Sequence, residues 1–350
     1  MLDTFDLIRA EEMLLGYHTR WAEETRDTLE VLAVEEEFLE PLVNPETGAP
    51  SRTFQRAGKL DVRVRERATG RLIVVEHKTS SEEIEPGAIY WQLLTMNSQV
   101  SGYLNAHRDC VAVLYDVLGK PGLKPLKATP PESRTYTKEK VDKKTGEVLE
   151  PSRLYANQRA TDETADEYRE RVRAAIVADP DAYLRRGTVV RLPSELEEAA
   201  TDDWNIAGAI REAKRTGQWP RNADSCRRFK RLCQYFALCT HTASADDTLE
   251  YARTETHREL SAELKARRSL PLFTNSSSST FRRCAREYFY RQEQGLARPR
   301  SEDAHALLFG DLVHRGLEAW WLCLKAGPAN LNECGHAAWD AMRAPLAEAA

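Results

Sequence analysis

The apolar positions of this chain change period several times along its length. Over 5–27, Leu7, Ile8, Met13, Leu14, Leu15 and Trp21 recur on one side at helical spacing and predict a helix. Residues 30–42 alternate as a strand does, and Asn44-Pro45-Glu46-Thr47-Gly48 follows as a turn. Two more strands, 59–66 and 71–78, flank the turn Ala68-Thr69-Gly70. A helix over 88–106 and a strand at Cys110–Val117 come next. Residues 119–158, rich in Pro, Lys, Glu and Gly, predict a long surface excursion. Helices are expected again at 162–178, 194–214 and 245–267. The Ser276–Ser279 run is a good helix start for 280–292, and a last pair of helices covers 304–325 and 333–349. No repeat is visible.

Within this frame the strongest local chemistry is Gly58-Lys59-Leu60-Asp61-Val62-Arg63-Val64 followed by Ile73-Val74-Val75-Glu76-His77-Lys78-Thr79. Side chains alternate faces along a strand, so Glu76 and Lys78 point the same way. If Glu66 pairs with Arg71 across the turn, Asp61 falls opposite Glu76. The same register sets Val62 against Val75 and Val64 against Ile73, an apolar face beneath. Cross-strand neighbours lie about 4.5–5.5 Å apart at Cβ. Two carboxylates so close repel unless a cation sits between them, and oxygen ligands select a hard ion such as Mg²⁺ or Mn²⁺. A salt-bridged, solvent-facing hairpin is the competing reading of this pattern alone.

The chain has 350 residues, 41% hydrophobic and 30% charged, ordinary values for a soluble globular enzyme. No stretch approaches the apolar length of a membrane span, and Met1-Leu2-Asp3 does not open a signal peptide, so a cytoplasmic protein without a membrane partner is expected. The net charge of −5 runs against a polyanion binder, yet local basic clusters exist. Arg227, Arg228, Lys230 and Arg231 form one. Arg282, Arg283, Arg286 and Arg291 form another, interleaved with Phe281, Tyr288, Phe289 and Tyr290. That mixture suits a phosphate-tracking, base-stacking surface, or equally a solvated helix face with its aromatics in the core. Seven cysteines without secretory context do not make a disulfide framework. Cys226-x6-Cys233-x5-Cys239 offers three soft ligands and Cys284 a fourth, whereas Cys110, Cys323 and Cys334 read as isolated apolar fillers.

Four motifs together resemble the RecB-like branch of the PD-(D/E)XK nuclease superfamily. They are the Gly58-Lys59-Leu60-Asp61 strand, the Glu76-His77-Lys78 strand, the Gln99-x-x-x-Tyr103 helix, and the helix Gly310-Asp311-Leu312-Val313-His314-Arg315-Gly316-Leu317-Glu318. The resemblance implies an α/β, restriction-endonuclease-like mixed β-sheet flanked by helices, with a helical iron–sulfur elaboration. It implies that His314, Asp61 and Glu76 ligate Mg²⁺ or Mn²⁺, that Lys78 is catalytic, and that Gln99 and Tyr103 support the site and contact DNA. Glu76 stands where Asp is commoner. The cysteine spacing resembles the iron–sulfur staple of AddB-type and CRISPR adaptation nucleases, which implies a [4Fe–4S] cluster on Cys226, Cys233, Cys239 and Cys284, with zinc as the alternative. The partner implied is DNA, single-stranded or with free ends, and the activity exonucleolytic, in repair, recombination or phage replication. A non-catalytic iron–sulfur or zinc DNA-binding scaffold is the rival reading.

In the family the cysteine-bearing and His helices precede the Asp and Glu-x-Lys strands; here they come last. Joining Ala350 to Met1 would restore the family order, as in a circular permutation, whereas a truncated second copy would call for a homodimer with shared sites. The expected division is a nuclease core over 1–118, a helical insertion with three cysteines over 119–240, a connection over 241–275, and a closing segment over 276–350 that carries Cys284 and His314 and completes the core.

Overall fold

In the computed structural model, which describes residues 2–141, 148–150, 152–228, 231–298 and 304–347, the chain opens with helix α1 (Thr4–Thr28). Asp3 caps it, accepting from the Asp6 amide while the Asp6 carboxylate takes the Asp3 amide. Strands β1 (Leu29–Val43), β2 (Pro50–Glu66) and β3 (Leu72–Ser80) follow. Helices α2 (Ile89–Leu94) and α3 (Ser98–Ala106) lead to β4 (Cys110–Gly119). After the excursion come α4 (Ala165–Ala178), β5 (Leu184–Val189) and α5 (Pro193–Thr216). A two-residue strand β6 (Leu272–Phe273), α6 (Asn275–Arg283), α7 (Ala304–Ala326) and α8 (Asn332–Ala347) complete the frame.

One mixed sheet runs β1-β2-β3-β4-β5, with β6 pairing parallel to the outer part of β2. β1, β2 and β3 are mutually antiparallel, β3 and β4 parallel, and β4 and β5 antiparallel. Val62 pairs with Val75 and Val64 with Ile73, the register anticipated from the turn, and the Glu66 amide donates to Arg71 O at 2.9 Å. Those four apolar side chains share a core with Met13, Leu14, Tyr17, Val313, Leu317, Trp320 and Trp321. The opposite face packs Leu60, Val74, Val113, Tyr115 and Val117 against Val100, Tyr103 and Leu104 of α3. The protein is thus a mixed α/β fold with helices on both faces of its sheet, consistent with a restriction-endonuclease-like architecture. Among the described residues, no helix is long and apolar enough to cross a membrane.

Several expectations are corrected. The 88–106 helix is two helices, because Asn97 caps a new start at Ser98, its side chain accepting from the Gln99 amide. Leu184–Val189, between the expected helices 162–178 and 194–214 of the helical insertion, is the fifth strand of the sheet. Of 245–267 only Ala262–Arg267 is helical. Ala252–Arg253 instead pairs with Leu296–Ala297, and His257 takes a left-handed φ of 53°, which no helix accommodates. The 280–292 helix breaks at Cys284, whose extended backbone (φ −162°, ψ 113°) separates α6 from the turns Ala285–Tyr288 and Phe289–Glu293. Cys323 and Cys334 are not isolated: their sulfurs meet at 3.1 Å between α7 and α8.

Candidate active site

A cleft of about 700 Å³ opens at the end of the β2–β3 hairpin, and Asp61, Glu76, Lys78, Gln99, Tyr103 and His314 all line it. Four elements converge there. β2 and β3 carry the acidic residues and the lysine, α3 covers one face, and α7 crosses the other to deliver His314. His314 Nε2 lies 3.1 Å from Asp61 Oδ2, although the two are 253 positions apart. α7 is seated closely against α1 and α8 because Gly316 has no side chain: a Cβ there would stand 2.5 Å from Leu14 Cδ1 and 3.1 Å from Ala338 O.

Asp61 is buried at 7% exposure, and its Oδ2 takes the His77 amide at 2.8 Å as well as His314. Both contacts fall on Oδ2, which leaves Oδ1 for another partner. Burial alone would raise this carboxyl's pKa, but the hydrogen bonds from His314 and His77 and the charge of His314 outweigh it and hold the group well below the usual carboxylate range. Glu76 behaves oppositely. Burial, reinforced by the charge of Asp61, pushes its pKa up despite the Lys78 ammonium bonded to its Oε1. Burial disfavours the Lys78 charge, yet Glu76 and Asp61 keep it protonated. For His314 burial also opposes charge, and Asp61 reverses it, raising the imidazole to about 9. Tyr103 donates to Lys59 O at 3.0 Å and accepts from Gln99 Nε2 at 2.7 Å, so the one-turn Gln99/Tyr103 pair braces the β2 backbone beside Asp61.

Glu35 is the residue the sequence did not single out. It lies on β1 between the Val34–Val62 and Glu36–Leu60 pairs, hence beside Asp61, with a left-handed φ of 52° in mid-strand. A non-glycine residue held there is strained, a condition that clusters at functional sites. Its carboxylate pairs with Lys59 and lies 3.8 Å from His314 Nδ1. Burial raises its pKa in spite of Lys59. One carboxylate oxygen each from Glu35 and Asp61 and one His314 nitrogen lie within 4.8 Å of one another, close enough to share an ion. Glu76 Oε2, buried and without a hydrogen-bond partner, is a further acceptor lacking a cation. This oxygen-rich donor set with one imidazole fits a divalent ion of the Mg²⁺/Mn²⁺ class. In Glu35-Glu36-Glu37 the composition carries no cue to which carboxylate turns inward; the unusual backbone at Glu35 decides it.

Cys226, Cys233, Cys239 and Cys284 line one small cavity of about 30 Å³. The Cys233 amide donates to Cys226 O at 2.8 Å across a short hairpin, and Asn222 Nδ2 and Ser225 Oγ donate to Arg283 O, tying the three-cysteine segment to Cys284. A zinc ion bound by four thiolates holds its sulfurs about 3.8 Å apart. Four thiols around one cavity could serve either a single ion or a polynuclear centre. Burial raises the Cys233 thiol to about 11, so a bound metal must displace its proton.

The basic-aromatic segment resolves toward the core. Tyr288 and Tyr290 are buried, Trp219 stacks on Tyr288 and Phe289 at 5.9 and 5.3 Å, and Tyr290 lies against Tyr235. No base-stacking platform is formed by these two tyrosines. Of the arginines, Arg283 pairs with Glu287, and Arg286 donates to Trp219 O at 2.8 Å. Arg282 stays exposed and donates to Ser98 Oγ, at the rim of the cleft, at 2.7 Å. In the other cluster Arg227 and Arg228 are exposed on the cysteine hairpin, and Lys230 lies outside the described residues.

Residues 273–350 match the model of the PD-(D/E)XK nuclease superfamily. The matched stretch holds α6, Cys284 and the His314 helix, and it points to metal-dependent nuclease chemistry. The Asp61/Glu76/Lys78 hairpin lies outside it and reaches His314 only through the fold. No curated protein matches the chain.

Proposed function

We propose that this protein is a metal-dependent deoxyribonuclease of the RecB-like kind, acting on single strands or DNA ends, with a [4Fe–4S] cluster on Cys226, Cys233, Cys239 and Cys284. The carrying observation is the 3.1 Å approach of His314 to Asp61 in the cleft that also holds Glu76 and Lys78. The order of elements, with the His314 helix after the hairpin yet packed beside α1, supports a circularly permuted arrangement of that family. Asp61 and His314 meet within one chain, so a site shared between two subunits is not needed.

Glu35, Asp61 and His314, whose donor atoms cluster, would hold the divalent ion, and Glu76 in the same cleft would be the further acidic ligand. When bound, the ion polarises a phosphodiester and lowers the pKa of a water ligand. The protein's groups do the rest. Asp61, which lines the cleft, is kept ionised by its bonds. Lys78 stays charged at neutral pH and stands where it orients the attacking water and offsets negative charge growing on the phosphoryl oxygens. Gln99 and Tyr103 fix the β2 backbone that carries Asp61. Lys120 lines the cleft and would supply positive charge to a DNA backbone approaching an otherwise acidic chain, whereas Lys59 is paired with Glu35. The cluster clips Cys284, at the end of α6, to the segment 226–239, and so steadies the cleft wall formed by the start of α6.

The test is Mg²⁺- or Mn²⁺-dependent cleavage of labelled single-stranded, duplex and end-blocked DNA by protein prepared anaerobically. Lys78→Ala is expected to lose cleavage while retaining DNA binding. Equal cleavage by the two proteins refutes the assignment. A brown preparation with visible cluster absorption is expected, and a colourless one containing zinc overturns the iron–sulfur part.

A further inference from the structure

The residue between Glu76 and Lys78 has no place in that chemistry. By strand alternation it faces away from them, and His77 is indeed turned under α7, at 3% exposure. Its surroundings are specific. The indole Nε1–H of Trp321 donates to His77 Nε2 at 2.7 Å, in a fully buried contact. An indole nitrogen can only donate, so Nε2 carries the lone pair and the ring proton resides on Nδ1. Nδ1 lies 3.5 Å from Asp61 Oδ2, the oxygen that also takes the His77 amide at 2.8 Å and His314 Nε2 at 3.1 Å.

We infer that His77 is a positioning residue for Asp61, directing its Nδ1–H at the carboxylate in a tautomer imposed by Trp321. The inference rests on Asp61 being a metal ligand. His314 and Trp321 are separated by seven positions, two turns, and so share one face of α7. Asp61 and His77 sit on adjacent strands. The four side chains therefore close a circuit in which one helix supplies both an imidazole for the ion and the indole that orients the imidazole behind it. The circuit also limits rotation of the Asp61 carboxyl, because Oδ2 is held by the His77 amide, the His77 ring and His314. The rings of His77 and His314 meet edge to face at 6.1 Å, and Tyr17 closes the pocket with its ring 6.3 Å from His77. The Tyr17 hydroxyl is committed elsewhere, to Asp116 at 2.8 Å, so it does not compete for the imidazole.

Two measurements on the full-length protein test this. The first is ¹⁵N NMR of the histidine rings in metal-free protein, with His77→Asn used to assign the His77 signal. The expected state is Nδ1–H with unprotonated Nε2, lost or mixed in Trp321→Phe. An Nε2–H tautomer in the wild type overturns the inference. The second is Mn²⁺ affinity without DNA, followed by the EPR signal of free Mn²⁺. Partners behind a metal ligand typically change affinity by about 10- to 100-fold. His77→Phe, which keeps ring volume but removes both nitrogens, is expected to weaken Mn²⁺ binding within that range. His77→Asn, which restores an N–H near the Nδ1 position, should recover part of the loss. Trp321→Phe should weaken binding to a lesser degree in the same direction, and the double variant should bind no worse than His77→Phe alone. Melting in EDTA separates lost positioning from lost folding. Should His77→Phe not fold, Trp321→Phe decides: affinity unchanged from wild type overturns the inference. Asp61→Ala distinguishes the two levels. If it abolishes Mn²⁺ binding while His77→Phe leaves it within twofold of wild type, the positioning role falls and the nuclease site stands. If Asp61→Ala itself binds Mn²⁺ normally, the metal-site reading falls, and the positioning role with it.

Discussion

Replacing Asp61 by Asn in metal-free protein isolates the electrostatics of the site. The side chain keeps its shape, but the anion that holds His314 protonated is gone. In the folded wild type His314 titrates at about 9, against an ordinary value of 6.5. At about 1.36 kcal/mol per unit, that shift corresponds to at most about 3.4 kcal/mol of linkage. The imidazole is 37% exposed, so solvent screening reduces the figure to roughly 1–2 kcal/mol. The folded pKa lies above the unfolded one, so this stabilisation is complete below pH 6.5 and disappears as pH rises through 9. The depressed Asp61 carboxyl acts at the other end, stabilising above its ordinary 3.8 and losing that contribution as pH falls below it. Urea or thermal unfolding in EDTA at pH 6 and pH 9.5 reads the effect. The wild type should exceed Asp61→Asn by roughly 1–2 kcal/mol more at pH 6 than at pH 9.5. Groups elsewhere titrate equally in both proteins and cancel. Parallel stability profiles across this range would refute the ion-pair account of His314.

Glu35→Gln retains the shape but removes a charge beside Asp61, and is expected to weaken Mn²⁺ affinity by about 10-fold or more in a direct titration. Unchanged affinity would place Glu35 outside the metal site. Gly316→Ala drives a Cβ to within 2.5 Å of Leu14 Cδ1, so it should cost about 1–3 kcal/mol in urea unfolding and lower activity by displacing α7. Cys284→Ser should abolish visible cluster absorption and lower the melting temperature; an unchanged spectrum would exclude Cys284 as a ligand.

The hairpin was legible because short-range rules suffice for it. The turn at Ala68-Thr69-Gly70 sets the pairing sum, which holds from Arg65–Leu72 to Val62–Val75; the ladder ends there, so the expected Asp61–Glu76 pair does not form and the Asp61 carboxylate takes the His77 amide instead. The helix with Gln99 and Tyr103, and the one with His314, were legible for the same reason: an interval of three or four residues defines a face. Readings that needed a partner elsewhere failed. Leu184–Val189 is short and of mixed polarity, and becomes a strand only because β4 offers it an edge. Residues 245–261 lose a plausible helix to pairing with Leu296–Ala297 and to the burial of Tyr251. The aromatics of 281–290 carry no mark of the face they bury until Trp219 stacks on them.

By itself, then, the sequence determined the local chemistry: which residues are charged, which share a face, and which four cysteines can serve as soft ligands. Only the tertiary structure decided that His314 meets Asp61, that Glu35 turns inward at a strained position, and that Trp321 holds His77. Those contacts join residues 253, 26 and 244 positions apart, and the entropic cost of closing such loops is offset collectively by the two cores on either side of the sheet rather than by any motif. A periodic pattern states which side of an element is apolar. It does not state which other element will cover it, and in this protein the site lies where those choices meet.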